Sequence, residues 1–328
     1  MAGMGKRLRP HTLTTAKPLI HVAGKPIVEQ LVEDIVAVCK TKVNEIAFVT
    51  GRFGEEVEQR LIAVAEQLGA RGSIHYQDEA LGTAHAILCA AELLNGPVTV
   101  AFADTLFIAD FTLDANADGV LWVQKIDDPR QFGVVVLNSD GVITDFKEKP
   151  QEFISDLAMI GIYYFKNGEI LRNELQYLIE HNIRNGGEYQ LPDALRNMMK
   201  KGFRFVPGTV DDWMDCGNKQ ALVETNSRYL RHKFPASHIG PNLKQVNSVI
   251  IPPCFIGADV MIENAIVGPG VSIGNASRIS NSVISNAILM ENSQVKNAVL
   301  ENALVGKYAS CVNQPENLNL GDFSSVEG

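Results

Sequence analysis

The residues best suited to chemistry gather at the start of the chain. Gly3 and Gly5 bracket Met4, and Lys6, Arg7, Arg9 and Lys17 all come before Pro18. Glycine lets backbone N–H groups approach a phosphate closely, and adjacent cations neutralise its charge. A Gly-x-Gly pair by itself is far more often a plain turn. Four cations beside it, in a chain of formal net charge −9, point to a local site for a polyanion. A second candidate is Asp104, which closes the apolar run PVTVAFAD over Pro97–Asp104, the composition of a buried parallel strand. In open α/β sheets ligands bind beyond the carboxyl ends of such strands, so this carboxylate would stand where a ligand sits. The bland alternative for an Asp in that place is a turn cap.

The opening stretch as a whole, MAGMGKRLRPHTLTTAKPLIHVAGKP, resembles the signature of the sugar-1-phosphate nucleotidylyltransferases (sugar-nucleotide pyrophosphorylases), which reads roughly G-x-G-[ST]-R-L-x-P-x-T-x-x-x-P-K-P-L-x-P-[IV]-x-G-K-P. Gly3, Gly5, Arg7, Leu8, Pro10, Thr12, Lys17, Pro18, Leu19, Gly24, Lys25 and Pro26 match it in register; Lys6, Ala16 and His21 depart from it. Further segments extend the resemblance over most of the chain. QDEALGTAHA (Gln77–Ala86) is similar to Q-x-x-x-x-G-T-A, FKEKP (Phe146–Pro150) to E-K-P, and WMDCG (Trp213–Gly217) to W-x-D-x-G. The resemblance implies that Gly3 and Gly5 cradle the nucleotide, that Arg7 and Lys17 bind the triphosphate, and that Gln77 and Gly82 contact the base. It implies that Glu148 and Gly161 line the sugar pocket, that Lys149 holds the sugar phosphate, and that Asp104 and Asp215 are ligands of Mg²⁺. Two carboxylates are a reasonable protein share of a magnesium site, since phosphates and water complete its octahedron. Ala103 stands where the family carries a glycine before the first aspartate. Asp193, in EYQLPD, fits either a sugar-site acid or an acidic residue at a helix start.

The elements that must position these residues follow from periodicity. Pro26–Cys39 has the spacing of a helix with Pro in its first turn, Glu45–Thr50 of a short buried strand, Glu55–Leu68 of an amphipathic helix, and Ser73–Tyr76 of another strand. Gly82 and Thr83 are expected to cap a helix reaching Leu94. Gly133–Leu137 and Val142–Lys147, joined at Asn138-Ser139-Asp140-Gly141, read as a hairpin. This alternation predicts a Rossmann-like, doubly wound mixed α/β sheet. Relatives carry an apolar strand just upstream of the glycine loop; the sequence starts at the loop, so the first strand is expected to be absent.

From Val246 to Val312 the pattern changes. Aliphatic residues recur about every six positions (Ile256, Ile262, Ile273, Ile279, Ile284, Met290), followed by small residues and by Asn264, Asn275, Asn281, Asn286, Asn292, Asn297 and Asn302. Asn tolerates the left-handed conformation that corners of a parallel β-helix require, which predicts about three or four coils of a small left-handed parallel β-helix. The expected organisation is a nucleotidyltransferase domain over residues 1–235 and the β-helix over 236–328. Hexapeptide coils with a histidine between them also form acyltransferases; His238 is the last histidine, so a second activity is not expected.

Composition bounds the rest. A chain of 328 residues, 46% hydrophobic and 20% charged, is that of an ordinary soluble globular protein. Its acidic balance argues against nonspecific nucleic-acid binding. The five cysteines are scattered with no C-x-x-C pair, as expected of buried thiols in a reducing cytoplasm rather than a zinc site. No run is long enough to span a membrane and no signal peptide is visible. The expectation is a Mg²⁺-dependent EC 2.7.7 enzyme, cytoplasmic and homo-oligomeric. It would make a nucleotide sugar and pyrophosphate, with glucose 1-phosphate and dTTP as the favoured pair and mannose 1-phosphate with GTP second. A non-catalytic homologue that only binds nucleotide sugars is the reading from a different class.

Overall fold

The computed structural model describes residues 5–39, 41–110, 117–313 and 319–327. They fall into two compact units. One holds Val32–Ala103 and Phe107–Trp213; the other holds the described residues of 5–31, 104–106 and 214–327. Helix α1 (Ile27–Val38) starts in the second unit and ends in the first, burying Ile27, Val28 and Leu31.

The first unit is a mixed α/β structure. Its central strand, Gly119–Lys125, has five consecutive buried residues, as a strand covered on both faces must. Leu157–Phe165 lies antiparallel to it, and Phe205–Thr209 lies parallel on its other side. Leu157–Phe165 also pairs antiparallel with Val98–Ala101 and, at its start, with the hairpin Gly133–Leu137/Ile143–Glu148. That hairpin turns as expected: the Asn138 carboxamide oxygen accepts from the N–H groups of Asp140 and Val142, and Gly141 takes φ +74°. Leu171, Leu175 and Leu178 of helix α4 (Gly168–Glu180) and Leu191, Leu195 and Met198 of α5 (Leu191–Lys200) share one core with Leu121, Val123 and Phe165. Each such side chain contributes about 1.5–3 kcal/mol when fully buried.

Several expectations are corrected. Glu45–Thr50 and Arg71–Tyr76 pair in parallel around α2 (Glu55–Gln67) but form a two-stranded sheet of their own. Among the described residues, no strand joins this pair to the larger sheet. Val98–Ala101 is only half-buried and antiparallel to its neighbour, because a run of small and β-branched residues suits an edge as well as a centre. Helix α3 (Thr83–Leu88) stops well before Leu94; a separate 3-10 turn covers Ala91–Leu93. Its cap position is Gly82, and the Thr83 hydroxyl is used elsewhere, as described below.

The second unit is a three-sided parallel β-solenoid of about five turns, with faces of six, six and four strands. Ile256, Ile262, Ile273, Ile279 and Ile284 point inward as expected. In the next coil the column position is filled by Leu289, paired with Ile273, and not by Met290. The reason is a change of coil length. The amide pair Asn247–Asn264 spans 17 residues, whereas Asn281–Asn297 spans 16. The left-handed corners fall on Asn264, Asn281, Asn286, Asn292, Asn297 and Asn302, but on Ala276 in place of Asn275. Asn275 instead accepts a bond from the N–H of Ala258 one coil earlier. Three cysteines, Cys216, Cys254 and Cys311, are buried; Cys39 and Cys89 are only half-buried. No helix among the described residues is long and apolar enough to cross a membrane.

Candidate active site

The second unit brings five sequence-predicted positions into one neighbourhood. Gly5 takes the left-handed conformation (φ +55°), and its carbonyl accepts from the Thr12 hydroxyl at 2.8 Å and from the N–H of Leu8. A Cβ on Gly5 would stand 2.9 Å from the Thr12 methyl and 3.0 Å from Cβ of Lys17, so glycine is required twice, for conformation and for space. The loop curls through three 3-10 turns, Lys6–Leu8, His11–Leu13 and Lys17–Leu19, anchored by the buried Leu8 and Ile20. Gly3 lies outside the described residues.

Lys17 is almost completely buried, and its Nζ donates to Oδ2 of Asp104 at 2.9 Å. Asp104 in turn accepts the N–H of Cys216 on its backbone carbonyl at 3.0 Å, which fixes it beside Asp215. The Asp215 carboxylate accepts the N–H of Gly217, and its main-chain carbonyl accepts the Thr225 hydroxyl of α6 (Lys219–Lys233). Burial raises the pKa of Asp215 above the ordinary carboxylate range. The negative charge of Asp104 adds to the rise, while Lys17, the Gly217 N–H and Arg7 oppose it. A divalent cation would relieve that repulsion, and two hard oxygen donors suit magnesium. Among the described residues no cluster of three or more metal-binding side chains forms. A cation held by Asp104 and Asp215 would take its remaining ligands from phosphate and water. Burial also pushes the Cys216 thiol far up, so it is no nucleophile.

The first unit carries the other candidates. Gln77 is buried, and its Nε2 meets the carbonyl of Gly82 at 3.0 Å and Nδ1 of His85 at 3.1 Å. Gly82 has φ +110°, and a Cβ there would fall 2.4 Å from the carbonyl oxygen of Tyr189. The segment is zipped to residues 189–191: Tyr189 donates to the carbonyl of Leu81, Ala84 to that of Tyr189, and Leu191 to the Thr83 hydroxyl. Sequence reasoning missed this bracket, since only Gly82 itself signals a close backbone approach. Gly161 (φ +84°) sits where the pairing of Leu157–Phe165 shifts register, a bulge that faces it toward Phe102.

Glu148 and Lys149 end the strand Ile143–Glu148 with most of their side chains in solvent, Nζ and Oε1 being 3.9 Å apart. Lys149 adopts φ +43° while its N–H donates to the carbonyl of Phe132, whose ring meets Trp213 edge-on at 4.8 Å. Asp193 stands in the first turn of α5, where its Oδ1 accepts from Arg196, which also reaches Asp145 and the carbonyl of Phe146. Arg196 thus ties α5 to the strand bearing Glu148. The spacing of Asp193 and Arg196, one helical turn apart, was the overlooked signal. Asp212 opens the strand Asp212–Asp215.

With this geometry in place, similarity to known proteins becomes informative. A profile of the family described as "Nucleotidyl transferase" matches residues 1–232. The chain is 30% identical over 262 residues, 76% of its length, to the "Bifunctional protein GlmU" of Methanococcus vannielii, of which it spans 59%. It is 30% identical over 77% of its length to the mannose-1-phosphate guanylyltransferase catalytic subunit beta of Drosophila pseudoobscura pseudoobscura, covering 68% of that protein. Among solved structures, a Bacillus anthracis protein provisionally named a glucose-1-phosphate thymidylyltransferase, in complex with sucrose, superposes with a TM-score of 0.59. Its identity is 25%, over 69% of this chain and 92% of that one.

Proposed function

We propose that this chain, which belongs to the nucleotidyl transferase family, joins a sugar 1-phosphate to the nucleotidyl group of a nucleoside triphosphate and releases pyrophosphate. The observation that carries this reading is the buried Lys17 paired with Asp104 beside the desolvated Asp215. A purely structural copy of the fold has no need to keep a buried lysine beside two carboxylates. Residues 1–235 would form the catalytic domain and 236–328 the solenoid.

In such a reaction the sugar phosphate oxygen attacks the α-phosphorus in line, so catalysis consists of positioning and charge neutralisation with no side-chain nucleophile. Gly5 would present backbone to the nucleotide, and Arg7 and Lys17 would hold the triphosphate and stabilise the departing pyrophosphate. Gln77 and Gly82 would contact the base. Gly161 and Glu148 would contact the sugar, and Lys149 would align the attacking phosphate. Asp104 and Asp215 would hold Mg²⁺, which when bound supplies positive charge at the phosphates.

For the substrate pair we favour glucose 1-phosphate with dTTP, supported by the likeness to the Bacillus structure. Mannose 1-phosphate with GTP is the second reading, supported by the similarity to the Drosophila subunit. Pyrophosphate release with Mg²⁺, across a panel of nucleoside triphosphates and sugar 1-phosphates, tests both. Turnover with one pair alone is expected. A folded protein that binds nucleotide yet releases no pyrophosphate with any pair would sink the enzyme reading and leave a binding protein.

A further inference from the structure

The glycine loop is clamped by the last described coil of the solenoid. Nε2 of His11, a residue only 1% exposed, lies 2.8 Å from Oδ1 of Asn319. The Thr14 hydroxyl donates to Oδ2 of Asp322 at 2.5 Å, and Nδ2 of Asn319 points at the carbonyl of Arg9, 3.5 Å away. Gly321 lies flat under Pro10, where a Cβ would come within 2.9 Å of the ring. Asp322 is itself fixed, because its Oδ1 accepts the N–H of Lys307 from the preceding coil. These contacts hold the loop on both sides of Thr12, the residue whose hydroxyl and methyl set the position of Gly5.

We infer that Asn319 and Asp322 are positioning residues for the triphosphate site, acting through His11 and Thr14 on the loop that carries Arg7 and Lys17. The solenoid would thus complete the nucleotide site and not merely follow it. The inference rests on the proposed nucleotidyl transfer for its kinetic consequence, but the docking itself can be measured without turnover. Asn319 meets His11 by its oxygen and Arg9, at longer range, by its amide nitrogen, so Asn319→Asp keeps the His11 contact and loses only the longer one, while Asn319→Leu removes both. Phe323→Ala serves as the control: it lies in the same coil as Asn319, and its exposed ring stacks on Tyr308 of the preceding coil.

The experiment compares the full-length chain with these variants and with Thr14→Val. It follows hydrogen exchange at the loop amides of Leu8, Leu13 and Leu19, the affinity for Mg²⁺–dTTP and Mg²⁺–GTP by calorimetry, and the KM for each substrate. Asn319→Leu and Thr14→Val are expected to speed loop exchange and weaken triphosphate binding by about fivefold to tenfold, the effect of losing one or two hydrogen bonds. Asn319→Asp and Phe323→Ala should leave both near the parent, and the KM for sugar 1-phosphate should stay within about twofold throughout. Unchanged loop exchange in Asn319→Leu overturns the inference, as does an equal response in Phe323→Ala, which would mean general loosening of the coil. Faster exchange in a protein that binds neither triphosphate would instead overturn the functional reading above while leaving the clamp intact.

Discussion

The cluster around Lys17 and the corners of the solenoid satisfy their polar atoms by opposite means. At the cluster, each group is charged, occurs once and depends on a partner of the other sign; removing any one leaves a neighbour uncompensated. At the corners, the groups are neutral amides that pair with copies of themselves, Asn247 with Asn264, and Asn281 with Asn297 with Asn313. Losing one rung leaves the others standing. Single-copy charge gives a site that can be switched off by one substitution; repeated neutral pairing gives a frame that degrades gradually.

The largest effect should follow from Lys17→Met. This change keeps the unbranched apolar stem of the side chain and deletes its charged end, and kcat/KM is expected to fall on the order of 10²-fold or more. Sugar 1-phosphate KM should move far less. A loss below tenfold would place Lys17 among structural counter-ions and blur the contrast just drawn. Chelation of divalent cations should abolish turnover to a similar extent, with Asp104→Asn and Asp215→Asn each raising the Mg²⁺ concentration needed to restore it.

Next comes Gly82→Val, which forces a branched side chain into φ +110° against the Tyr189 backbone. Denaturant unfolding should show a loss of roughly 1–3 kcal/mol. Within the solenoid, Asn281→Val breaks one rung and strains one corner, for about 1–2 kcal/mol, whereas Asn281→Gly should cost less because glycine accepts the left-handed turn. Equal losses for the two would mean that the amide ladder, and not the corner geometry, holds the coils together.

The smallest effect concerns His11. Burial lowers its pKa from 6.5, against the opposing influence of its bond to Asn319 and the charge of Asp322. The unfolded chain therefore takes up this proton first. The associated stability is intact above pH 6.5 and declines as pH falls from there toward the lowered native value. Urea unfolding at pH 7.5 and pH 5.5 should show a drop in the parent that is reduced in His11→Gln. A rise in stability on acidification, specific to the histidine, would contradict the buried neutral form.

How far the sequence revealed these features depended on whether the cause was local. Helix α1, the strand Glu45–Thr50 and the hairpin around Asn138 were legible because periodicity and turn residues are written in adjacent positions. Lys17 and Asp104 stood out by local pattern, as a cation near a glycine pair and a carboxylate closing an apolar run, whereas Asp215 was found only through the resemblance of a short motif. What escaped were contacts whose halves lie far apart: Thr83 bonding residue 191 instead of capping its own helix, Arg196 reaching Phe146, and Asn319 reaching His11. Nothing in either half announces its partner. The coil count was underestimated for a related reason, since a repeat that changes length loses its phase in a linear reading.

That change of length has a consequence for how the chain tolerates editing. Deleting one residue from a strand normally exchanges its inner and outer faces. Here two residues, Ser285 and Asn286, separate Ile284 from Ala287, whereas three, Gly268-Pro269-Gly270, separate their partners Val267 and Val271 one coil earlier. Even so, Ile273 still stacks on Leu289 and Ile284 on Leu300. The bends absorb insertions and deletions that the faces could not. Tags, cleavage sites or reporter labels placed at the Asn-bearing bends would therefore be expected to leave the aliphatic columns in step.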